Sequence, residues 1–403
     1  MDKGFWKAGH TPTLVSSFLY FDLAFMVWVL LGPLAVQISA DLGLTPAQKG
    51  WMVATPLLAG ALLRLVMGVL VDHLKPKMAG AIGQVIVMLA LFVAWFLGVH
   101  SFSQVMLLAV FLGVAGASFA VALPLASRWY PPQYQGAAMG IAGAGNSGTA
   151  IAALFAPTLA KMFGWNAVFG LALIPLLLVF VVYMVWAKDS PDSPPPKRLA
   201  EYLGVLKDKD AWWFMWFYMV TFGGFSGLAS SLTLYFNDQY GLSPVKAGMY
   251  TALCVFAGSL MRPIGGSVAD KVGGIKALSF LYALAAVFLF VVSLNLSQEW
   301  MALAALVLGM QCLGMGNGAV FQLVPQRFRR EIGVMTGLVG MAGGVGGFCL
   351  AMGLGYAKQL SGGYAPGFVI FSALALLAWI GLFSVKKRWR TTWGAAHIAG
   401  ARV

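Results

Sequence analysis

Two arginines interrupt apolar runs of this chain. Arg64 lies inside "LLRLVMGVLVDHL" at 62–74, and Arg262 opens "RPIGGSVAD" at 262–270. A guanidinium keeps its proton in proteins and presents a planar fork of N–H donors. Inside hydrocarbon such a group costs upwards of ~2.5 kcal/mol, so it demands a partner. One acid sits deep in an apolar run, Asp22 in "FLYFDLAFMVW". One carboxylate cannot neutralise two guanidiniums. The chemistry this pattern points to is capture of a small anion, and a paired fork suits a flat oxyanion particularly well.

The elements that must position these groups are membrane helices. The chain has 403 residues, is 60% hydrophobic and only 10% charged, more apolar surface than a soluble domain of this length buries. Apolar runs of spanning length recur at roughly 12–38, 47–72, 77–98, 102–127, 135–161, 165–187, 210–236, 243–270, 274–294, 299–322, 331–357 and 363–385. The reading is an all-α membrane protein of twelve transmembrane helices. The three cysteines all fall within spans and suggest no disulfide framework. No cleavable signal peptide is evident, because the first apolar run is too long for one.

The net charge of +13 follows topology rather than a nucleic-acid partner. With the termini on one side and the loops assigned alternately, 20 of the 26 basic residues fall on the terminal side and four on the other, with Arg64 and Arg262 within spans. That bias predicts cytoplasmic termini. The "KKRWR" stretch at 386–390 reads as an anchor at the lipid headgroups.

The chain also repeats itself. "GLTPAQKG" at 43–50 returns as "GLSPVKAG" at 241–248, and "RLVMGVLVD" at 64–72 as "RPIGGSVAD" at 262–270, both at an offset of 198 residues. A Pro-rich, charged stretch at 188–210 divides the spans six and six. The expected domains are bundles at 1–187 and 210–385, a cytoplasmic linker at 188–209 and a tail at 386–403. Two parallel six-span repeats are the architecture of major facilitator transporters. Gly68-x-x-x-Asp72 with Lys75 and Lys77, echoed by Gly266-x-x-x-Asp270, resembles that superfamily's loop motif, and Asp72 and Asp270 read as a conformational latch. Each Arg precedes its Asp by eight residues. That depth is roughly 12 Å at about 1.5 Å per residue, close to the middle of ~30 Å of hydrocarbon. The pseudo-twofold should set Arg64 and Arg262 face to face.

Two glycine-rich runs complete the pattern, "GIAGAGNSGTAIAALFAP" at 140–157 and "GLVGMAGGVGGFCLAMGLG" at 337–355. Small residues at this spacing let helices approach closely. Asn146 is the candidate amide donor among them. These runs, with one Arg in span 2 and one in span 8, resemble the nitrate signatures of the nitrate/nitrite porter family. The resemblance implies nitrate clamped between Arg64 and Arg262, Asn146 at the site, and covering rings from Phe119 in "GASFAVALP" and Phe222 in "FYMVTFGGF". Tyr218 shares a face with Phe222 and offers a hydroxyl. Asn317 falls 198 residues after Phe119 and is a further candidate for the cavity wall.

Nitrate is planar and singly charged, which two forks and two ring faces accommodate; nitrite is planar and smaller. Uptake against a negative-inside potential costs ~2.3 kcal/mol per charge per 100 mV. Two couplings meet that cost: exchange of nitrate for nitrite, or proton symport using Asp22. The expected function is therefore a monomeric secondary transporter in the lipid bilayer, with nitrate and nitrite as substrates. It uses no cofactor, metal or nucleic acid, and no enzymatic constellation is legible. A porter for another small anion, such as an organic carboxylate or cyanate, and a non-transporting anion sensor are the alternatives.

Overall fold

The computed structural model describes residues 4–191, 200, 204–328 and 331–394. Much of the linker, the last nine residues, Arg329 and Arg330 lie outside the described residues. Every regular element among the described residues is helical. The helices form twelve rods. Span 1 is Thr11–Trp28 continued by Leu31–Leu42, span 2 Pro46–Leu74 and span 3 Pro76–Leu97. Span 4 is Phe102–Gly116 continued by Phe119–Ser127. Span 5 runs from Pro132–Gly143 through a 3₁₀ turn, Ala144–Ser147, into Gly148–Phe163. Span 6 is Trp165–Trp186, span 7 Lys209–Tyr240, span 8 Pro244–Val272 and span 9 Gly274–Ser293. Span 10 is Glu299–Arg327, span 11 Ile332–Ser361 and span 12 Ala365–Thr391.

Among the described residues, ten helices are long and apolar enough to cross a membrane. Spans 5 and 7 are not among them: span 5 is divided into helices of 12 and 16 residues by its 3₁₀ turn, and span 7 is rich in polar residues. Span 7 buries Thr221, Ser226, Ser230, Ser231 and Thr233 against other helices, so protein rather than lipid surrounds its polar face. Several helices outrun their apolar runs; span 10 continues to Arg327 and span 12 to Thr391. Apolarity marks only the hydrocarbon, whereas backbone hydrogen bonding carries a helix on into the headgroups.

The repeated "GL(T/S)P" is helix punctuation. Gly43 and Gly241 end spans 1 and 7 in the left-handed conformation, with φ of 62° and 63°. Thr45 and Ser243 then cap spans 2 and 8 by accepting from the amides of Gln48 and Lys246, each at 3.3 Å. Pro46 and Pro244 follow at the first helical position. One short sequence thus stops one helix and starts its antiparallel neighbour in each half.

At this face, opposite the termini, the first six spans meet the last six most tightly. A Cβ on Gly355 of span 11 would come within 2.8 Å of the Gly50 Cα of span 2, so no side chain fits there. Gly32 of span 1 packs on the Ser230 backbone of span 7, and Gly248 of span 8 on Ala153 and Pro157 of span 5. Lys49 pairs with Asp238 at 3.7 Å, the Tyr364 hydroxyl donates to Asp238 at 2.7 Å, and the Ala47 amide donates to Gln359 at 2.9 Å. These contacts close the molecule on the side away from its termini.

At the terminal face, Asp72 pairs with Arg128 at 3.6 Å within the first half. In the second half Asp210 accepts from Arg327 Nε at 2.8 Å, from Trp389 Nε1 at 2.7 Å and from Arg388. Trp389 is buried and stacks on Phe214, centroids 4.7 Å apart. The reading of "KKRWR" as a headgroup anchor therefore needs correction for two of its residues. Arg388 and Trp389 fasten the end of span 12 to the start of span 7, because span 12 stays helical beyond its apolar run.

Gly355→Leu wedges the glycine-to-glycine contact between spans 2 and 11 at this face. It is expected to raise thiol labelling of a cysteine placed at Gln359 several-fold, with the protein still folded by circular dichroism. Unchanged labelling in a folded variant would show that this contact does not hold the face shut.

Candidate functional site

The break in span 4 is where the site begins. In an unbroken helix the Ala120 amide would bond to the Gly116 carbonyl. Here it bonds to Ala117 at 3.0 Å instead, which leaves the Gly116 carbonyl without that amide at a helix C-terminus. Arg64 takes it, with Nε donating at 3.2 Å. A cation at the negative end of a half-helix is favourable in its own right. Phe119 follows the break directly and lies under the same guanidinium.

Arg64 is almost entirely enclosed, 2% exposed. Its Nη1 donates to the carbonyl of Gly340 on span 11, a bond that crosses between the halves. Three ring faces surround its Cζ: Phe119 at 5.1 Å, Phe222 at 5.4 Å and Trp28 at 5.6 Å. Each such contact contributes about 0.5–2 kcal/mol. Gly60 and Gly116 provide the slot for the Trp28 indole, whose Nε1 donates to the Pro56 carbonyl at 2.7 Å.

Arg262 is half-buried on span 8. Its Nη2 donates to the Tyr218 hydroxyl at 3.4 Å, and its Cζ lies 5.7 Å from the Phe321 ring. Two aromatic bridges then connect the arginines. Tyr218 stacks on Phe222 with centroids 5.1 Å apart and planes 4° from parallel. Phe119 meets Phe321 at 6.3 Å. Tyr218 lies in the field of both guanidiniums, and Arg64 lies in that of Arg262.

Among the described residues, neither guanidinium has a carboxylate within ion-pair distance. Arg64 Nη2 and Arg262 Nη1 are buried and have no hydrogen-bond partner. Carbonyl dipoles and ring faces soften the charge but carry none to cancel it. The site thus consists of two cations, each with one unused Nη group, and an aromatic wall.

Asn146 lies in the 3₁₀ turn of span 5, which packs between span 1 and span 8. It is 2% exposed, and its Oδ1 has no partner. Asn317 is equally enclosed on span 10 and also has an unpartnered Oδ1. The next residue, Gly318, packs on the Arg262 backbone, which sets Asn317 at the depth of that arginine. Asp22 does not compensate either arginine; its Oδ1 accepts from the Ser147 hydroxyl at 2.7 Å. Asp72 and Asp270 stand at the terminal ends of spans 2 and 8, away from this cluster.

Sequence reasoning missed Trp28, Phe321 and the two carbonyls. Phe321 was within reach, since it lies four residues after Asn317 and so shares its helix face. Nothing in the sequence marks Trp28 among 14 tryptophans, or the Gly116 carbonyl, which only the break in span 4 releases.

The glycine runs serve the same cluster. On span 11, Gly340 and Gly344 face Arg64 and Ala61 of span 2, while Gly343 and Gly346 face Tyr218, Phe222 and Met219 of span 7. On span 5, Gly145 and Gly148 press against Phe21 and Asp22.

A family model described as Major Facilitator Superfamily matches residues 17–351. A probable nitrate/nitrite transporter, NarK2, of Mycobacterium tuberculosis is 33% identical, over 92% of this chain and 95% of the relative. The chain belongs to the nitrate/nitrite porter family of the Major Facilitator Superfamily. Another relative, named a nitrite extrusion protein, of Bacillus subtilis, is 30% identical over 88% of this chain and 89% of its own length. Among solved structures, a bacterial homolog to the human lysosomal transporter Spinster, inward-facing and unoccupied, matches with a TM-score of 0.70. It is 17% identical over 97% of this chain and 99% of that one, a likeness of fold.

A methyl at Gly340 would meet Arg64 Nη1 at 3.1 Å and Phe119 at 3.5 Å, whereas one at Gly353 meets nothing within 4 Å. Gly340→Ala is expected to destabilise the porter by about 1–3 kcal/mol through overpacking. Gly353→Ala on the same helix is expected to be neutral or to stabilise by up to about 1 kcal/mol. Thermal unfolding in detergent compares the two, and equal melting temperatures would contradict the packing described.

Proposed function

We propose that this porter moves nitrate, and nitrite with it, across a bacterial plasma membrane by alternating access. We assign it as a monomer with both termini in the cytoplasm. The observation that carries this reading is the pair of guanidiniums, Arg64 enclosed and Arg262 half-buried, which have no carboxylate partner among the described residues and one unused Nη group each. A planar monoanion between Arg64 Nη2 and Arg262 Nη1 would supply the missing countercharge. The ring faces of Phe119, Phe222, Tyr218 and Phe321 would cover its flat sides, with Asn146 and Asn317 at the margin. Tetrahedral sulfate or phosphate fits such a slot poorly.

The bundles at 1–187 and 210–385 then act as rocking units, with Asp72 and Asp270 in latches at their terminal ends. Arg64 already bonds to the opposite bundle through Gly340. Without an anion, mutual repulsion of the two cations resists bringing the bundles together at the terminal face. A bound anion relieves that repulsion, so the loaded carrier switches readily and the empty one does not. Such a carrier exchanges nitrate for nitrite without net charge movement.

Proteoliposomes loaded with nitrite should take up external nitrate without an imposed pH gradient, and sulfate inside should not replace nitrite. Arg64→Lys and Arg262→Lys keep the charge but lose the planar fork. Each is expected to weaken nitrate binding roughly 10- to 150-fold, the worth of one charge-assisted hydrogen bond. Near-normal affinity in either variant would overturn the paired-fork reading. Uptake of a carboxylate in preference to nitrate would overturn the choice of substrate.

Phe321→Leu tests the wall separately, by removing a ring face while keeping an apolar side chain. Its expected cost is a two- to thirtyfold rise in the nitrate dissociation constant, about the range of one cation–π contact. An unchanged constant would remove Phe321 from the site.

A further inference from the structure

Asp22 is buried at membrane depth, 7% exposed, yet neutralises neither arginine. Its carboxylate accepts from the Ser147 hydroxyl at 2.7 Å. Ser147 closes the 3₁₀ turn Ala144–Ser147, which carries Asn146. A 3₁₀ turn within a longer helix is a place where the helix can change register or bend. The Ser147 Oγ also lies 3.0 Å from the Ala144 carbonyl at the start of the same turn. A serine hydroxyl has one proton, so it donates to one of these two acceptors at a time.

The geometry provides a complete set of hydrogen bonds for both protonation states of Asp22. With Asp22 ionised, Ser147 donates to the carboxylate and ties the turn to span 1. With Asp22 protonated, its own O–H donates to Ser147 Oγ, and the Ser147 proton turns to the Ala144 carbonyl, closing the turn on itself. The proton comes from water and returns to it; no other bond is made or broken. Neither state leaves a buried donor stranded.

Among the described residues no ion pair competes for Asp22. Span 2 contributes Arg64, and span 8, packed on the turn, contributes Arg262; among the described residues neither is within ion-pair distance of Asp22. Span 4 has Arg128 at its terminal end, while span 5 has Tyr134 near one end and Lys161 near the other. On span 1 itself Tyr20 is the nearest titratable neighbour, and it meets Tyr183 of span 6 with ring centroids 5.2 Å apart.

We propose that Asp22 and Ser147 form a two-position hydrogen-bond switch that sets the turn holding Asn146, so that anion affinity follows the protonation of Asp22. Asp22 is a positioning residue, and the switch rests on the nitrate reading above. The protonated state holds the turn closed and Asn146 in place, so affinity is higher on the acid side.

Two measurements test it. In nitrite-loaded proteoliposomes, the KM for nitrate is expected to rise about three- to tenfold as pH increases, the span one hydrogen bond covers. Asp22→Asn donates to Ser147 as the protonated acid does, so its KM should stay at the wild-type acid value throughout. Ser147→Ala should also flatten the profile, because the carboxylate then has no hold on the turn. Wild-type profiles in either variant would overturn the switch while leaving nitrate transport intact.

The second measurement needs no substrate. Ala144 is exposed, so Ala144→Cys in a Cys349→Ser background reports on the turn by maleimide labelling. The labelling rate with Asp22, divided by that with Asp22→Asn, should change with pH, which cancels the thiol's own titration. A constant ratio would overturn the switch whatever the substrate is. Failure of the wild type to carry nitrate, with the ratio still changing, would overturn only the substrate.

Discussion

A guanidinium cannot give up its proton to escape a low-dielectric interior, and two of them lie near one another in the middle of this bundle. That constraint organises the rest. Among the described residues no pair of acids is set against the two arginines. The protein offers Arg64 two carbonyl oxygens and three ring faces, and gives Arg262 a phenol hydroxyl and one ring face. These partners hold the side chains in place without cancelling their charge. A site neutralised by carboxylates would be more comfortable empty and would have no use for an anion.

The helix irregularities follow from the same need. The break in span 4 releases the Gly116 carbonyl and aims Phe119. The 3₁₀ turn in span 5 brings Asn146 and Ser147 against spans 1 and 8. The glycines of span 11 thin that helix on two sides, so that span 2 can deliver Arg64 and span 7 its stacked Tyr218 and Phe222. Close packing by small residues suits a membrane, where helices gain little from hiding apolar surface from lipid.

Much of this was legible in the residues alone. Twelve passes followed from the apolar runs, because backbone groups in hydrocarbon must be bonded within a helix. Span 7 shows the limit of that signal: its serines and threonines face protein, and hydropathy cannot tell a buried polar face from a solvated one. The 198-residue offset paired Arg64 with Arg262 before any coordinates. "KKRWR" was only half read, since local charge cannot announce that Arg388 and Trp389 meet Asp210 from 178 and 179 residues away.

The sequence by itself determined the helical spanning architecture, its duplication and the excess of permanent positive charge over acid at membrane depth. These depend on composition, order and spacing along one chain. Tertiary structure alone decided that Phe119, Phe222 and Trp28 gather on one guanidinium, that Phe321 backs the other, and that Asp22 answers to Ser147 rather than to an arginine. Those outcomes depend on which carbonyls a helix break releases and on how closely glycine lets two backbones approach. Both are set by packing between distant segments, and pattern along the chain does not encode them directly.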